Sequence, residues 1–206
     1  MKEDKKQALA QFHRDTIQAA AEKLFLEFGV EHVSVDEIAK SAGYSKATLY
    51  VYFESKAAIW TRILHSAMHL LKQRIENALN TEEGYLAQYF AICKAITVFS
   101  EEYPLYFESL LGAIPLEGDE LSQKTFEIGE EIVALVGQLI AQGIEEGVVR
   151  PEVQVPRVAI IFWSCIAGMI RMTAQKEAYI LQSTGQGKGE LLSYGFETLL
   201  QSIKRD

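Results

Sequence analysis

Residues 34–56 read SVDEIAKSAGYSKATLYVYFESK, and this stretch decides the fold. Ser34 precedes a short apolar set, Val35, Ile38, Ala39 and Ala42, spaced as one face of a helix barely two turns long. Its hydroxyl suits the N-cap. Gly43 then breaks the pattern at a point where the backbone needs positive φ. Ser45 is placed to cap a second short helix carrying Lys46, Thr48, Leu49, Tyr50 and Phe53, and Ser55 to cap a third. Upstream, Ile17, Ala20, Ala21, Leu24, Phe25 and Phe28 make the stripe of a longer packing helix, which Gly29 stops. A packing helix followed by two short helices and a glycine turn is a helix-turn-helix. Ile38 and Leu49 are expected to face each other across its core, with Ala39 small enough for close approach.

The face left over on the second short helix is polar. Lys46, Thr48 and Tyr50 lie within about a turn and a half, so they enter a major groove together and offer an ammonium, a hydroxyl with a methyl, and a phenol. Tyr52 and Lys56 sit just beyond and suit phosphates.

The stretch from Ser34 to Lys56 resembles the DNA-binding signature of the tetracycline-repressor (TetR) family of bacterial regulators. The shared features are Ile38-Ala39, Ala42-Gly43, Ser45-Lys46, Thr48-Leu49-Tyr50, Tyr52-Phe53 and Ser55-Lys56, and with the first helix the resemblance covers about 50 residues. The remainder matches only in manner, as a longer helical domain. The resemblance implies that Ser34 and Ser45 contact phosphates, that Lys46, Thr48 and Tyr50 reach bases or flanking phosphates, and that Tyr52 and Lys56 clamp the DNA backbone. It also implies that the last two helices form a dimer. Ser34 stands where threonine is more usual, and Tyr44 where a small aliphatic is. Tyr44 is either a core filler or an additional phosphate donor.

The whole chain has 206 residues, 49% hydrophobic and 23% charged, enough to build a core. Net charge is −8, which by itself speaks against nucleic acid. Its distribution reverses that argument: residues 1–62 carry nine basic and nine acidic side chains, and 63–206 carry eleven and nineteen. DNA contact is therefore local to the N-terminal part, because the acidic remainder is repelled by phosphate. The expected division is 1–56 for the helix-turn-helix domain with its N-terminal arm and 57–206 for a larger ligand-binding and dimerisation domain.

Spacings of three and four recur beyond Asn80, and strand signals are nearly absent, so the fold class is all-α with about nine helices. The later helices are expected at 83–102, 104–113, 120–146, 156–181 and 188–204. Pro104, Pro115, Pro151 and Pro156 fall at the breaks. The longest apolar run, Val158 to Ile170, is thirteen residues, short of the ~20 of a bilayer span. The expected partners therefore exclude a membrane, and with no signal peptide at the N-terminus the expected location is cytoplasmic. Cys93 and Cys165, both in apolar runs, are expected as buried thiols.

No catalytic or metal centre is expected, and no cofactor. His65 and His69 lie four apart but lack a nameable third ligand, and Glu130, Glu131, Glu145 and Glu146 read as the solvent face of a helix. The glycines of 183–189 lack a phosphate-binding spacing and read as a flexible hairpin. Aromatic residues crowd the stretch from Tyr85 to Phe126, and Phe99, Tyr103, Phe107 and Phe126, joined by Trp163, are the expected walls of a pocket for a small apolar or amphipathic ligand. Two faces of helix 156–181 are apolar, one of them needing a partner. Phe162, Cys165 and Met169 from it, with Leu192, Phe196, Leu199 and Ile203 from the last helix, are the expected homodimer interface. Gly168 and Gly195 are its candidate close-contact points. The expected function is a repressor that binds a palindromic double-stranded operator and is released by ligand. A DNA-binding protein answering to a protein partner is the alternative, and a helical enzyme on the same fold the third.

Overall fold

The computed structural model describes residues 2–112 and 120–205. The end of the expected 104–113 helix and the break at Pro115 lie partly or wholly outside them. The described residues form ten α-helices: α1 (Lys2–Phe28), α2 (Val35–Ser41), α3 (Lys46–Tyr52), α4 (Lys56–Thr81), α5 (Tyr85–Glu102), α6 (Pro104–Leu110), α7 (Glu120–Glu145), α8 (Val155–Gln175), α9 (Glu177–Thr184) and α10 (Lys188–Gln201). A 3-10 turn, Val30–His32, follows α1. No strand occurs among the described residues, only an isolated antiparallel bridge between Val149 and Lys204. The fold is all-α, as expected. The extra helix arises at Lys176, whose φ of −125° and ψ of 27° separate α8 from α9 inside the segment read as one helix over 156–181.

The chain divides into two compact units, Met1–Ala67 with Glu117–Gln123, and Met68–Leu116 with Lys124–Asp206. The first is built on Ile17, Ala21, Phe25, Val33, Ile38, Ala39, Leu49, Phe53, Ile59 and Ile63, all buried. Phe28, read as part of the α1 stripe, is instead exposed, one residue before Gly29 turns the chain at φ 81°. Arg62 at the start of α4 donates to Gln18 (2.9 Å) and Asp15 (3.3 Å), tying α4 to α1.

In the second unit α5 runs through the core and supplies six buried residues, Tyr85, Tyr89, Ile92, Cys93, Ile96 and Phe99. The Tyr89 hydroxyl donates to the Phe196 carbonyl at 2.9 Å and so fastens α5 to α10. Burial pushes the Cys93 thiol up to about 12, which makes it inert as a nucleophile. Gly143 of α7 permits the closest approach: a Cβ there would stand 2.6 Å from Val149 and 2.7 Å from the Tyr85 ring.

The α5 N-terminus has Gly84 at the cap and no side chain of its own to satisfy it. Glu146 fills the role, accepting the Tyr85 N–H at 3.0 Å. Hydrogen bonds from Gln142 and from that N–H hold its carboxyl below the usual carboxylate value. Glu146 therefore has a structural task beyond the solvent face expected for it. A lowered folded-state pKa contributes stability above the ordinary carboxylate value and loses it as pH falls through the lowered one. Glu146→Gln is expected to flatten the acid side of the stability–pH curve relative to the parent chain, measured as urea midpoints between neutral and strongly acidic pH.

Candidate functional site

Each half of the helical turn is held by a serine. The Ser34 hydroxyl donates to Glu37 Oε2 at 2.6 Å and accepts the Glu37 N–H at 3.3 Å, while the Ser34 N–H donates to the same carboxylate at 2.8 Å, a complete capping box. These bonds keep the Glu37 carboxyl below its usual value. Gly43, at φ 77°, makes the turn, and its N–H reaches the Lys40 carbonyl at 3.2 Å. Ser45 Oγ accepts the Thr48 N–H at 3.0 Å and shares a 2.8 Å hydrogen bond with the Thr48 hydroxyl.

This geometry sorts the seven residues expected to touch DNA. Lys46 and Tyr50 are exposed at the outer face of α3. Ser34, Ser45 and Thr48 already use their hydroxyls for the caps, and Tyr52 is half-buried with its ring 5.1 Å from that of His13. Lys56 is the clearest departure from a backbone clamp. Its ammonium donates to the Val30 carbonyl at 2.7 Å and to that of Val33 at 2.9 Å, so it ties the start of α4 to the loop before α2 and keeps one hydrogen for anything else. The two alternatives for Tyr44 resolve into a third: its hydroxyl meets His13 Nδ1 at 2.6 Å, locking the turn to α1. Two residues unnoticed in the sequence complete the outer face, Ala47 and Val51, the latter 74% exposed. Their signal was available, since both lie on the side of α3 away from buried Leu49. Lys46 is engaged as well, with Asp36 of α2 at 2.8 Å, and that carboxylate raises its pKa.

In the second unit the five expected pocket residues separate. Phe126 and Trp163 line a pocket of about 240 Å³ together with Met68, Leu110, Gly112, Gly129, Glu130, Ile132 and Val133. Phe107 belongs to a different cleft, near Glu108, Arg171 and Lys188. Phe99 is fully buried, and Tyr103 stacks on Tyr106 at 5.8 Å and lies under the Arg74 guanidinium at 5.4 Å. Trp163 also lines an enclosed space of about 10 Å³ with Tyr85, Tyr89 and Phe162. The hydroxyl of Tyr85, one of the residues lining it, is buried with no hydrogen-bond partner, a defect that costs about 1–3 kcal/mol. Desolvation pushes its pKa upward.

The expected interface also needs correction. Phe162, Leu192, Phe196 and Ile203 are buried within the chain itself, and Met169 and Leu199 are half-buried. Cys165 is exposed rather than buried. The outward apolar face of α8 is Ile161, Cys165, Gly168 and Met172, with Ile160 beside it; Ile161 and Met172 are each more than half exposed. A Cβ on Gly195 would meet Met169 Sδ at 2.5 Å, so this glycine serves α8–α10 contact within the chain. By length and composition α8 is apolar enough to cross a membrane, which the thirteen-residue run did not suggest. Arg157 and Arg171 lie within it, and its other face is in the core.

Comparison with known proteins places these features in context. Residues 17–62 match the family model described as bacterial regulatory proteins, tetR family. The chain is 28% identical over 129 residues to the nucleoid occlusion factor SlmA of Vibrio atlanticus, covering 62% of this chain and 66% of that one, just under two thirds of the relative's length. Its fold is similar to that of the TetR family transcriptional regulator PfmR from Thermus thermophilus, at 26% identity, TM-score 0.67 and coverage of 92% and 99%. It is also similar to the fatty acid degradation regulator FadR from Bacillus halodurans, at 18% identity, TM-score 0.70 and coverage of 91% and 94%.

Two substitutions separate support from contact in the turn. Lys56→Met keeps the apolar stem and removes both carbonyl bonds, and is expected to cost about 2 kcal/mol in a denaturant titration. Asp36→Asn releases Lys46 and is expected to raise affinity for random-sequence duplex DNA. The slope of log affinity against log salt should steepen by about one phosphate per subunit.

Proposed function

We propose that this chain, which belongs to the TetR family of bacterial regulatory proteins, is a transcriptional repressor that binds a palindromic operator as a homodimer and is released by a small apolar or amphipathic ligand. The observation that carries the DNA-reading half is the exposed face of α3. Lys46, Ala47, Tyr50 and Val51 project from a helix whose other side is anchored by buried Leu49. Lysine and the tyrosine phenol supply hydrogen bonds to base edges or phosphates, and Val51 supplies an apolar contact for a thymine methyl.

Dimerisation uses the outward stripe of α8. Ile161, Cys165, Gly168 and Met172 follow spacings of four, three and four, the seam of two helices crossing at a shallow angle. Gly168 has open space where a Cβ would be, which suits the near approach of a second copy. Two-fold symmetry then presents two α3 helices to successive major grooves about 34 Å apart. The stripe also accounts for the apolar composition of α8 without a bilayer.

The pocket beside Phe126 and Trp163 is the ligand site in this reading, and the likeness to regulators, one of them a fatty acid degradation regulator, supports it. Met68 on its wall and Lys56 under the DNA-reading turn belong to one helix, α4. By linkage, whatever factor ligand takes from operator affinity, operator takes from ligand affinity. The enclosed space by Tyr85 is nearly filled, and that favours a second reading, a DNA-binding protein governed by a protein partner. A small molecule that binds the chain yet leaves operator affinity untouched would point to it.

Selection of bound duplexes from a random pool tests the first reading. The parent chain is expected to enrich a palindrome, and Val51→Ala to relax preference at one base pair in each half-site by ~1 kcal/mol. Ile161→Arg is expected to sediment as a monomer with unchanged helical circular dichroism and to lose operator binding. A dimeric Ile161→Arg variant would remove α8 from the interface.

A further inference from the structure

The Tyr85 hydroxyl is the unexplained group of the second unit. It is the only buried side-chain oxygen or nitrogen without a hydrogen-bond partner among the described residues, in a protein whose Tyr89 hydroxyl, one helical turn on, is satisfied by the Phe196 carbonyl. Among the described residues the surrounding walls are apolar apart from these two phenols and the Trp163 indole, and neither this chamber nor the neighbouring 240 Å³ pocket is lined by a lysine, arginine or histidine. The charged residue on the outer pocket's wall is Glu130.

The closed chamber is a tight fit for a water. The chamber's volume of about 10 Å³ is at the lower bound for one water. A water there needs two to four polar partners, and the hydrogen-bonding residues on the walls are Tyr85, Trp163 and Tyr89, whose proton is already given to Phe196. An oxygen attached to an apolar body needs only the Tyr85 proton, while its carbon frame faces the hydrocarbon walls and needs more room than the closed chamber has, so it enters only as a wall moves. Trp163 lines the chamber and the outer pocket alike, and it is only half-buried. Trp163 is the wall the two spaces share, and the side chain whose displacement would join them.

We infer that the outer pocket and the Tyr85 chamber are two compartments of one ligand site, partitioned by Trp163, whose occupant is an uncharged apolar molecule ending in a hydroxyl or carbonyl oxygen that accepts from Tyr85. This rests on the ligand-controlled reading above and narrows it. Carboxylates and phosphates are excluded by the same chemistry, because among the described lining residues an anion buried here has no cation to pair with, and the outer wall carries Glu130.

Calorimetric titration of the full-length chain with 1-octanol and with octanoate at neutral pH tests the inference, together with Tyr85→Phe. The parent chain is expected to bind octanol at least tenfold more tightly than octanoate. Tyr85→Phe, which removes only the unsatisfied oxygen, is expected to weaken octanol binding about tenfold, ~1.4 kcal/mol, and to raise the thermal midpoint of the chain measured alone. A hydroxyl with a hidden structural partner would lower that midpoint instead. Octanoate binding as tightly as octanol, no octanol binding by the parent chain, or undiminished octanol binding by Tyr85→Phe would each overturn the inference. Operator affinity measured in the same samples separates the two levels: Tyr85-dependent octanol binding with no operator release leaves the chamber standing and removes ligand control. Operator release by another compound, with no octanol binding, removes the chamber alone.

Discussion

A seven-residue helix does not hold itself together in water, and α2 and α3 are both that short. Isolated helices below about 12–15 residues are marginal even with favourable composition. Their order therefore comes from outside: from Ile38, Ala39 and Leu49 buried against α1, from serine caps at both N-termini, and from the Lys56 ammonium on the carbonyls of Val30 and Val33. The polar work of this unit is mostly structural. Ser34, Ser45, Thr48, Tyr44 and Lys56 fix where α3 stands, and that leaves a small exposed outer face, Lys46, Ala47, Tyr50 and Val51, as the surface proposed to meet a duplex.

That division of labour explains how far the sequence could be read. Caps and glycine turns are local, so Ser34, Gly43, Ser45 and Ser55 announced their elements within a few residues of each other. The task of Lys56 was not local. Its acceptors lie 26 and 23 residues upstream, and nothing in a Ser-Lys pair distinguishes a lysine bound for a phosphate from one bound for a carbonyl. The hydroxyl of Tyr44 finds His13 across 31 residues, equally beyond any spacing rule.

The second unit was less legible because its helices are apolar on more than one side. Periodicity located α8 but not its orientation: Phe162 and Cys165, three apart, were read on one face, and the core took Phe162 and left Cys165 outside. The crowd of aromatics suggested a single pocket, whereas packing assigned Phe99 to the core, Tyr103 to a stack under Arg74, and only Phe126 and Trp163 to a shared wall. The α8–α9 break at Lys176 carries no proline or glycine and so had no signal.

The central claim is that a pair of α3 helices reads DNA from the major groove, and methylation interference on a selected duplex tests it most directly. Methyl groups at guanine N7 protrude into that groove alone. The account predicts that methylated guanines block binding at two symmetric clusters about one helical turn apart, with the intervening guanines tolerated. Interference spread evenly along the duplex, or confined to adenine N3 in the minor groove, would contradict it.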